Sequence, residues 1–171
     1  MHIESYKIME RFASKYLSKD DHLKILDVGS FDVNGTYRPI FDAPNWEYKG
    51  LDISKGKNVD IVAKGHYDFG LAENTYDVVV SGNAMEHVEA IWLWMKQVAL
   101  VLKPGGLLCV EAPTRIRIHR FPVDCWRIMP DGLRYLVGRH AGLDVLECEI
   151  DETSSVKDIF CIAKKTSLEK G

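Results

Sequence analysis

The chain has 171 residues, 46% of them hydrophobic and 27% charged, enough for one ordinary globular domain with a buried core. A formal net charge of -3 lacks the basic excess of a nucleic-acid binder, so no nucleic-acid partner is expected. Four cysteines, Cys109, Cys125, Cys148 and Cys161, stand apart without a CxxC pair; this is neither a disulfide framework nor a zinc pattern, and it points to a reducing, cytoplasmic setting. In chain order, the opening segment MHIESYKIMERF carries charge too early for a secretion signal. The spacing of Ile3, Tyr6, Ile8, Met9, Phe12, Tyr16 and Leu17 predicts a helix over 3–17. Residues 24–28 (KILDV) read as a buried strand ended by Gly29, and 48–53 and 59–63 as two more short strands. The valine-rich run 76–81 (YDVVVS) is the strongest strand signal. Helical spacing follows over 86–102, stopped by Lys103-Pro104-Gly105-Gly106, and 107–112 (LLCVEA) is a fifth strand. No apolar run reaches the length of a membrane span, so no membrane partner is expected.

Strands alternating with helices predict an α/β fold, a mostly parallel sheet with helices on both faces. The tail departs from that rhythm. Residues 144–150 and 157–163 both read as strands, with too few residues between them for a parallel crossover. They are expected to pair as an antiparallel hairpin at or near a sheet edge. The whole of 1–171 is read as a single domain, without repeats or linkers.

The central motif is ILDVGSFDVNGT, residues 25–36. In open α/β sheets, ligands bind beyond the carboxyl ends of the strands near the topological switch point. Gly29 lets backbone approach a ligand closely, and Gly35 permits an unusual dihedral. The nicotinamide fingerprint GxGxxG is broken by Phe31, and the phosphate loop GxxxxGK[ST] is absent. What remains is an acid, Asp27, at a strand end followed by a glycine turn, which suits a positively charged ligand end. Asp52 closes the second strand, where an acid accepts hydrogen bonds from ribose hydroxyls. Further candidate loops are Gly65-His66-Tyr67-Asp68, Ser81-Gly82-Asn83-Ala84-Met85-Glu86-His87-Val88, and the turn at 103–106.

In order and spacing these motifs resemble the class I S-adenosylmethionine-dependent methyltransferases, of the group called methyltransferase type 11. The resemblance covers roughly 23–112 by motif and the rest by topology, and it implies a Rossmann-like seven-stranded sheet closed by an antiparallel hairpin. It implies S-adenosyl-L-methionine as the cofactor. It places the methionine end of the donor at Asp27 and Gly29, with Ser30, Phe31 and Gly35 in the same loop. It places the ribose at Asp52 and Ile53, the adenine at Gly65, His66 and Tyr67, and the path to the sulfonium along Ser81, Gly82 and Asn83. The chain differs from the usual family pattern in two places: GxGxG reads Gly29-Ser30-Phe31-Asp32-Val33, and the usual acid of the adenine loop is Gly65.

The stretch 115–132 lies where such a fold opens its acceptor site. It looks like a segment of bacterial type 11 methyltransferases, some of them near surface-sugar biosynthesis. It supplies His119 as a candidate base, Asp124 as an acid, Phe121 and Trp126 as an aromatic wall, and four arginines. His87 is the second candidate base. The expected reaction is methyl transfer to an oxygen or nitrogen of a small-molecule acceptor, such as a sugar or other metabolite. Either the N-terminal helix and the 115–128 loop close the site, or a second subunit of a homodimer does. The alternatives are a non-catalytic donor-binding module, and a protein or RNA methyltransferase; the latter lacks the DPPY/NPPY-type motif after strand four. Some methyltransferases hold a divalent metal through ExxEH and a later histidine. Here Asn83, Glu86, His87 and His119 make a poor set for a hard cation, and no metal is expected.

Overall fold

The computed structural model describes residues 3–166. Seven strands form one sheet in the order β3-β2-β1-β4-β5-β7-β6. They are β1 (Leu23–Val28), β2 (Trp46–Asp52), β3 (Ile61–Val62), β4 (Tyr76–Gly82), β5 (Leu102–Pro113), β6 (Leu143–Ile150) and β7 (Asp158–Lys165). The first five run parallel; β7 pairs antiparallel with β5 and with β6. The expected hairpin is therefore present, with β6 on the sheet edge. Among the described residues no helix is long and apolar enough to cross a membrane.

Period-two alternation in the strands sends side chains to two separate cores. Ile25, Val78, Val80, Cys109, Phe160 and Ile162 face α1 (Ile3–Tyr16), whose Ile8, Met9, Phe12 and Ala13 fall on one stripe. Leu26, Val79, Leu108, Val110 and Cys161 face the other way, against α2 (Ile91–Val101) and the helical stretch formed by α3 (Pro130–Arg134) and a π-helical turn, Tyr135–His140. That last stretch has no counterpart in the sequence reading, although Leu133, Leu136 and Val137 are buried at helical spacing.

The largest departure from expectation is at the start of α2. The predicted helix over 86–102 begins only at Ile91, after a 3-10 turn, Met85–His87. The carbonyls that would open the helix are already engaged. Glu86 O accepts from the amides of Cys125 (2.7 Å) and Trp126 (3.3 Å). Val88 O accepts from Trp126 Nε1 at 2.7 Å. At the other end β5 starts at Leu102, and Lys103–Gly106 bulges out of register between the pairs Tyr76–Leu102 and Val78–Leu107. The third strand is shorter than predicted, and a 3-10 turn, Arg38–Phe41, carries the β1–β2 connection.

Phe12 is fully buried where α1 meets the sheet. Phe12→Ala is expected to destabilise the chain by about 3–5 kcal/mol in urea unfolding. A loss under about 1 kcal/mol would mean that α1 is not docked in solution.

Candidate active site

The chain winds outward from β1 to β3, then crosses to β4 on the other side. This leaves a switch point beyond the carboxyl ends of β1 and β4. Gly29 sits there with φ +83, and a Cβ on it would lie 2.4 Å from the Ala84 Cβ, so only glycine lets the loops after β1 and β4 meet. A cavity of about 890 Å³ opens from this point.

One wall is the loop after β1. Its shape is held by Gly29 and Ser30 amides donating to Leu51 O (2.8 and 3.1 Å), by Asn58 Nδ2 donating to Ser30 O (3.0 Å), and by Asp32 Oδ1 accepting from the Gly35 amide (2.7 Å). Phe31 occupies the place of a family glycine by lying flat on Gly56, where a Cβ would meet its ring at 2.1 Å. Its amide donates to Asp52 Oδ2 at 3.2 Å, while Asp52 Oδ1 accepts from the Ser54 amide at 3.0 Å.

Asp27 is buried at the cavity floor. Tyr48 donates to its Oδ2, and Oδ1 has no hydrogen-bond partner among the described residues. Tyr48 is backed by the Arg38 guanidinium, 4.5 Å over its ring, which also binds Asn58 Oδ1 (2.8 Å) and Asp60 Oδ2 (2.6 Å). Burial raises the Asp27 pKa to about 7, against the lowering pull of the Tyr48 hydroxyl and Arg38. Beside it lies a second buried carboxylate, Glu111, which accepts from Ser5 Oγ (2.5 Å), Tyr37 OH (2.9 Å) and Asn83 Nδ2 (2.7 Å). This polar cluster leaves no room for a side chain at Gly82, whose Cβ would meet Tyr37 OH at 2.1 Å.

The far end of the cavity is lined by His87 and by Ile116, His119, Arg120, Phe121 and Pro122 of the segment after β5. The two imidazoles meet edge to face, 4.8 Å between centroids. Behind them Glu86 is 1% exposed, and burial raises its pKa to about 8. Desolvation lowers the pKa of His87. Asp124 accepts the His119 amide at 2.7 Å and a bidentate pair from Arg127 at 2.6 and 2.8 Å, which holds its carboxyl well below the usual range.

The matching family model, described as a methyltransferase domain, spans residues 26–110 of this chain. Residues 26–110 form a methyltransferase domain of the type 11 family. The chain is an S-adenosylmethionine-dependent methyltransferase, and S-adenosylmethionine is its methyl donor. Among curated proteins, it is 38% identical over 73 residues to the hybrid PKS-NRPs synthetase opdA of Penicillium oxalicum, a match covering 43% of this chain and 2% of that protein. Among solved structures it resembles 1,6-didemethyltoxoflavin-N1-methyltransferase of Burkholderia thailandensis, which has its acceptor and S-adenosylhomocysteine bound. The TM-score is 0.73 at 13% identity, over 96% of this chain and 78% of that one. A SAM-dependent methyltransferase of Aquifex aeolicus gives 0.67 at 15% identity, over 94% and 89%. The [4+2]-cyclase SpnF gives 0.74 at 15%, over 95% and 81%, so the shared fold is wider than one reaction.

Of the residues singled out for this methyltransferase, Asp27, Gly29, Ser30, Phe31, Gly35, Asp52, Ile53, His66, Gly82 and Asn83 line the cavity, as do His87 and His119. Gly65, Tyr67, Ser81 and Asp124 lie outside its lining. Gly65 pairs with Asp68 in a turn, Tyr67 OH accepts the Ala90 amide at 3.0 Å, and Ser81 Oγ ties β4 to Val28 O at 2.6 Å. Unforeseen were Tyr37 and Phe69 in the lining and the Ser5–Tyr37–Glu111 cluster beneath it. No local pattern marks that cluster, because its members come from α1, the β1–β2 connection and β5.

The raised pKa of Asp27 has a consequence for stability. An unfolded aspartate titrates near 3.9, so from about pH 4 to about 7 the folded chain keeps a proton the unfolded chain has lost. The group's contribution is thus fully present below about 4 and is lost as pH rises through about 7. In thermal melts without donor, Asp27→Asn should match the parent near pH 4 and gain on it through pH 7. A gap that does not change with pH would show an ordinary ionisation for Asp27.

Proposed function

We propose that this methyltransferase is a single domain acting in the cytoplasm on a small-molecule oxygen or nitrogen nucleophile. The observation that carries this reading is the cavity itself. It runs from an unpartnered buried carboxylate oxygen, Asp27 Oδ1, past Asp52, to a pair of imidazoles at its other end. The donor end fits S-adenosylmethionine on the chemistry of its lining. Asp27 would take the ammonium of the methionine portion, which gives its lone oxygen a charged donor and offsets the cost of burial. Gly29 and Gly82 both line this end of the cavity. Asp52, pinned by the Phe31 and Ser54 amides, would accept from the ribose hydroxyls. Ile53, Ala63, His66 and Phe69 would flank the adenine. When bound, the donor supplies a sulfonium methyl that passes to the acceptor's lone pair as the carbon–sulfur bond breaks.

The chain's own contribution is positioning and activation. The acceptor would enter against Ile116, Arg120 and Phe121, with His119 and His87 facing its reacting atom and Asp124 orienting His119 through its backbone amide. Arg120 offers a charge to an anionic group on the acceptor. A net charge of -3 and a cavity rather than a basic face favour a metabolite over nucleic acid.

Calorimetry with S-adenosylmethionine and its demethylated product tests the donor site; no binding of either would end this reading. Asp27→Asn and Asp52→Asn should each weaken product binding by about tenfold or more, the worth of one hydrogen bond to a charged group. Parent affinity should fall as pH drops below about 7 and Asp27 takes up its proton.

Turnover on a metabolite panel tests the acceptor end. His119→Ala should lower kcat about 100-fold or more and leave product affinity within about twofold. Unchanged turnover would remove His119 from the acceptor site.

A further inference from the structure

At the acceptor end, Glu86, His87 and His119 bring one carboxylate oxygen and two imidazole nitrogens within 4.8 Å of one another. Glu86 Oε1 lies 3.7 Å from His87 Nε2 and 3.8 Å from His119 Nε2. The ring of His87 is aimed by a hydrogen bond at its far nitrogen, whereas the far nitrogen of His119 lies near a carboxylate without a hydrogen bond to it. His87 Nδ1 is hydrogen-bonded to Val123 O at 2.6 Å, so Nδ1 carries the proton and Nε2 presents a lone pair. His119 Nδ1 stands 3.4 Å from Asp124 Oδ2, a carboxylate that Arg127 clamps from the other side. A histidine whose second nitrogen faces a carbonyl or carboxylate has the orientation and tautomer of a metal ligand.

The third member is the independent sign of a missing ligand. The Glu86 side chain is 1% exposed, and neither of its oxygens has a hydrogen-bond partner in any other described residue, only its own backbone amide acting on it. Burying a carboxylate so is costly unless something compensates it. Its backbone is not at liberty to swing the group out, because Glu86 O is held by the Cys125 and Trp126 amides.

We propose that Glu86, His87 and His119 bind a divalent cation of borderline softness, zinc being the simplest case, at the acceptor end of the cavity. Two imidazoles and one carboxylate suit zinc or iron, whereas magnesium and calcium prefer all-oxygen sets. Zinc bonds of about 2.0–2.2 Å set tetrahedral neighbours about 3.4 Å apart. The two separations from Glu86 need close by only a few tenths of an ångström, and the two imidazole nitrogens, within 4.8 Å of each other, by about an ångström or a little more, which a turn of the partly exposed ring of His119 supplies. The expectation of no metal rested on counting Asn83 as a fourth ligand for a hard cation. The Asn83 amide nitrogen donates to Glu111 Oε1 (2.7 Å) and Ser5 Oγ (3.0 Å), which turns that side chain to the neighbouring polar cluster, and the ligand atoms that converge are those of Glu86, His87 and His119, a set of three with a fourth position open. Three protein ligands and an open position is the composition of a catalytic zinc site. An acceptor hydroxyl at that position releases its proton to solvent more readily, since the cation stabilises the oxyanion left behind. The role at the acceptor rests on the function proposed above, and there the histidines act through the cation rather than as free bases.

The full chain, stripped with a chelator, is titrated with zinc by calorimetry and with cobalt by visible absorption, and S-adenosylhomocysteine binding is measured in parallel. One zinc per chain is expected, with a cobalt spectrum of low-coordinate nitrogen and oxygen ligation. Glu86→Gln and His119→Asn should each weaken zinc by at least about tenfold, with the product affinity of the stripped protein unchanged. Failure of zinc to bind the parent, or equal binding by both variants, overturns the proposal. Zinc binding as expected without product binding supports the cation site and overturns the donor-site reading instead.

Discussion

The close approach of two loops governs this molecule. Gly29 and Ala84 follow strands β1 and β4, and their contact sets the width of the switch-point crevice. A side chain at Gly29 would clash with Ala84 and push the two loops apart, two residues beyond the buried Asp27 of β1. Because the crevice is narrow, the carboxyl ends of three strands bring Asp27, Asp52 and Gly82 to one cavity. The sheet order places it there, and the glycine keeps it tight.

Three carboxylates are buried around that cavity, and they differ in how they are satisfied. Glu111 accepts from Ser5, Tyr37 and Asn83, which joins α1, the β1–β2 connection and the β4 loop into one polar network. A satisfied network of this kind rigidifies and specifies a core. Asp27 is satisfied on one oxygen only, and Glu86 by no hydrogen bond from any other described residue. The gradient has a physical reading. Where the fold needs a buried charge for its own architecture, it supplies the donors. Where it withholds them, the folded state carries the cost of an incompletely satisfied carboxylate.

The sheet was legible in the sequence because its signals are local. KILDV and YDVVVS are short apolar runs ended by glycine or a polar turn, and the short gap between the last two strands leaves only an antiparallel pairing. The loop after β1 was legible for the same reason: Asp27 and Gly29 are two residues apart. The start of α2 was not. Its helical periodicity is real from Ile91, but Glu86 and Val88 lose their carbonyls to Cys125 and Trp126, far along the chain, and no local propensity reports that. The stretch Pro130–Arg134 was hidden by Pro130 and Gly132, which read as loop punctuation although proline is well placed at a helix start. Glu86 looked like a helix-start acid. Only its burial distinguishes it from one.

That same capture of carbonyls bears on how the two halves of the site work together. The segment after β5 could be a free flap, since it is long and largely without regular structure. Instead the Cys125 and Trp126 amides and the Trp126 indole fasten its second half to the loop after β4. The β4 loop in turn touches Gly29 through Ala84. His119 is thus referenced to the donor loop through a short chain of fixed contacts. Ile118 and Phe121, more than half exposed, lie on the first half of the segment. A methyl transfer needs donor and acceptor aligned to within fractions of an ångström. This arrangement ties the imidazoles to the loop after β1 through fixed contacts and leaves exposed apolar side chains on the first half of the segment.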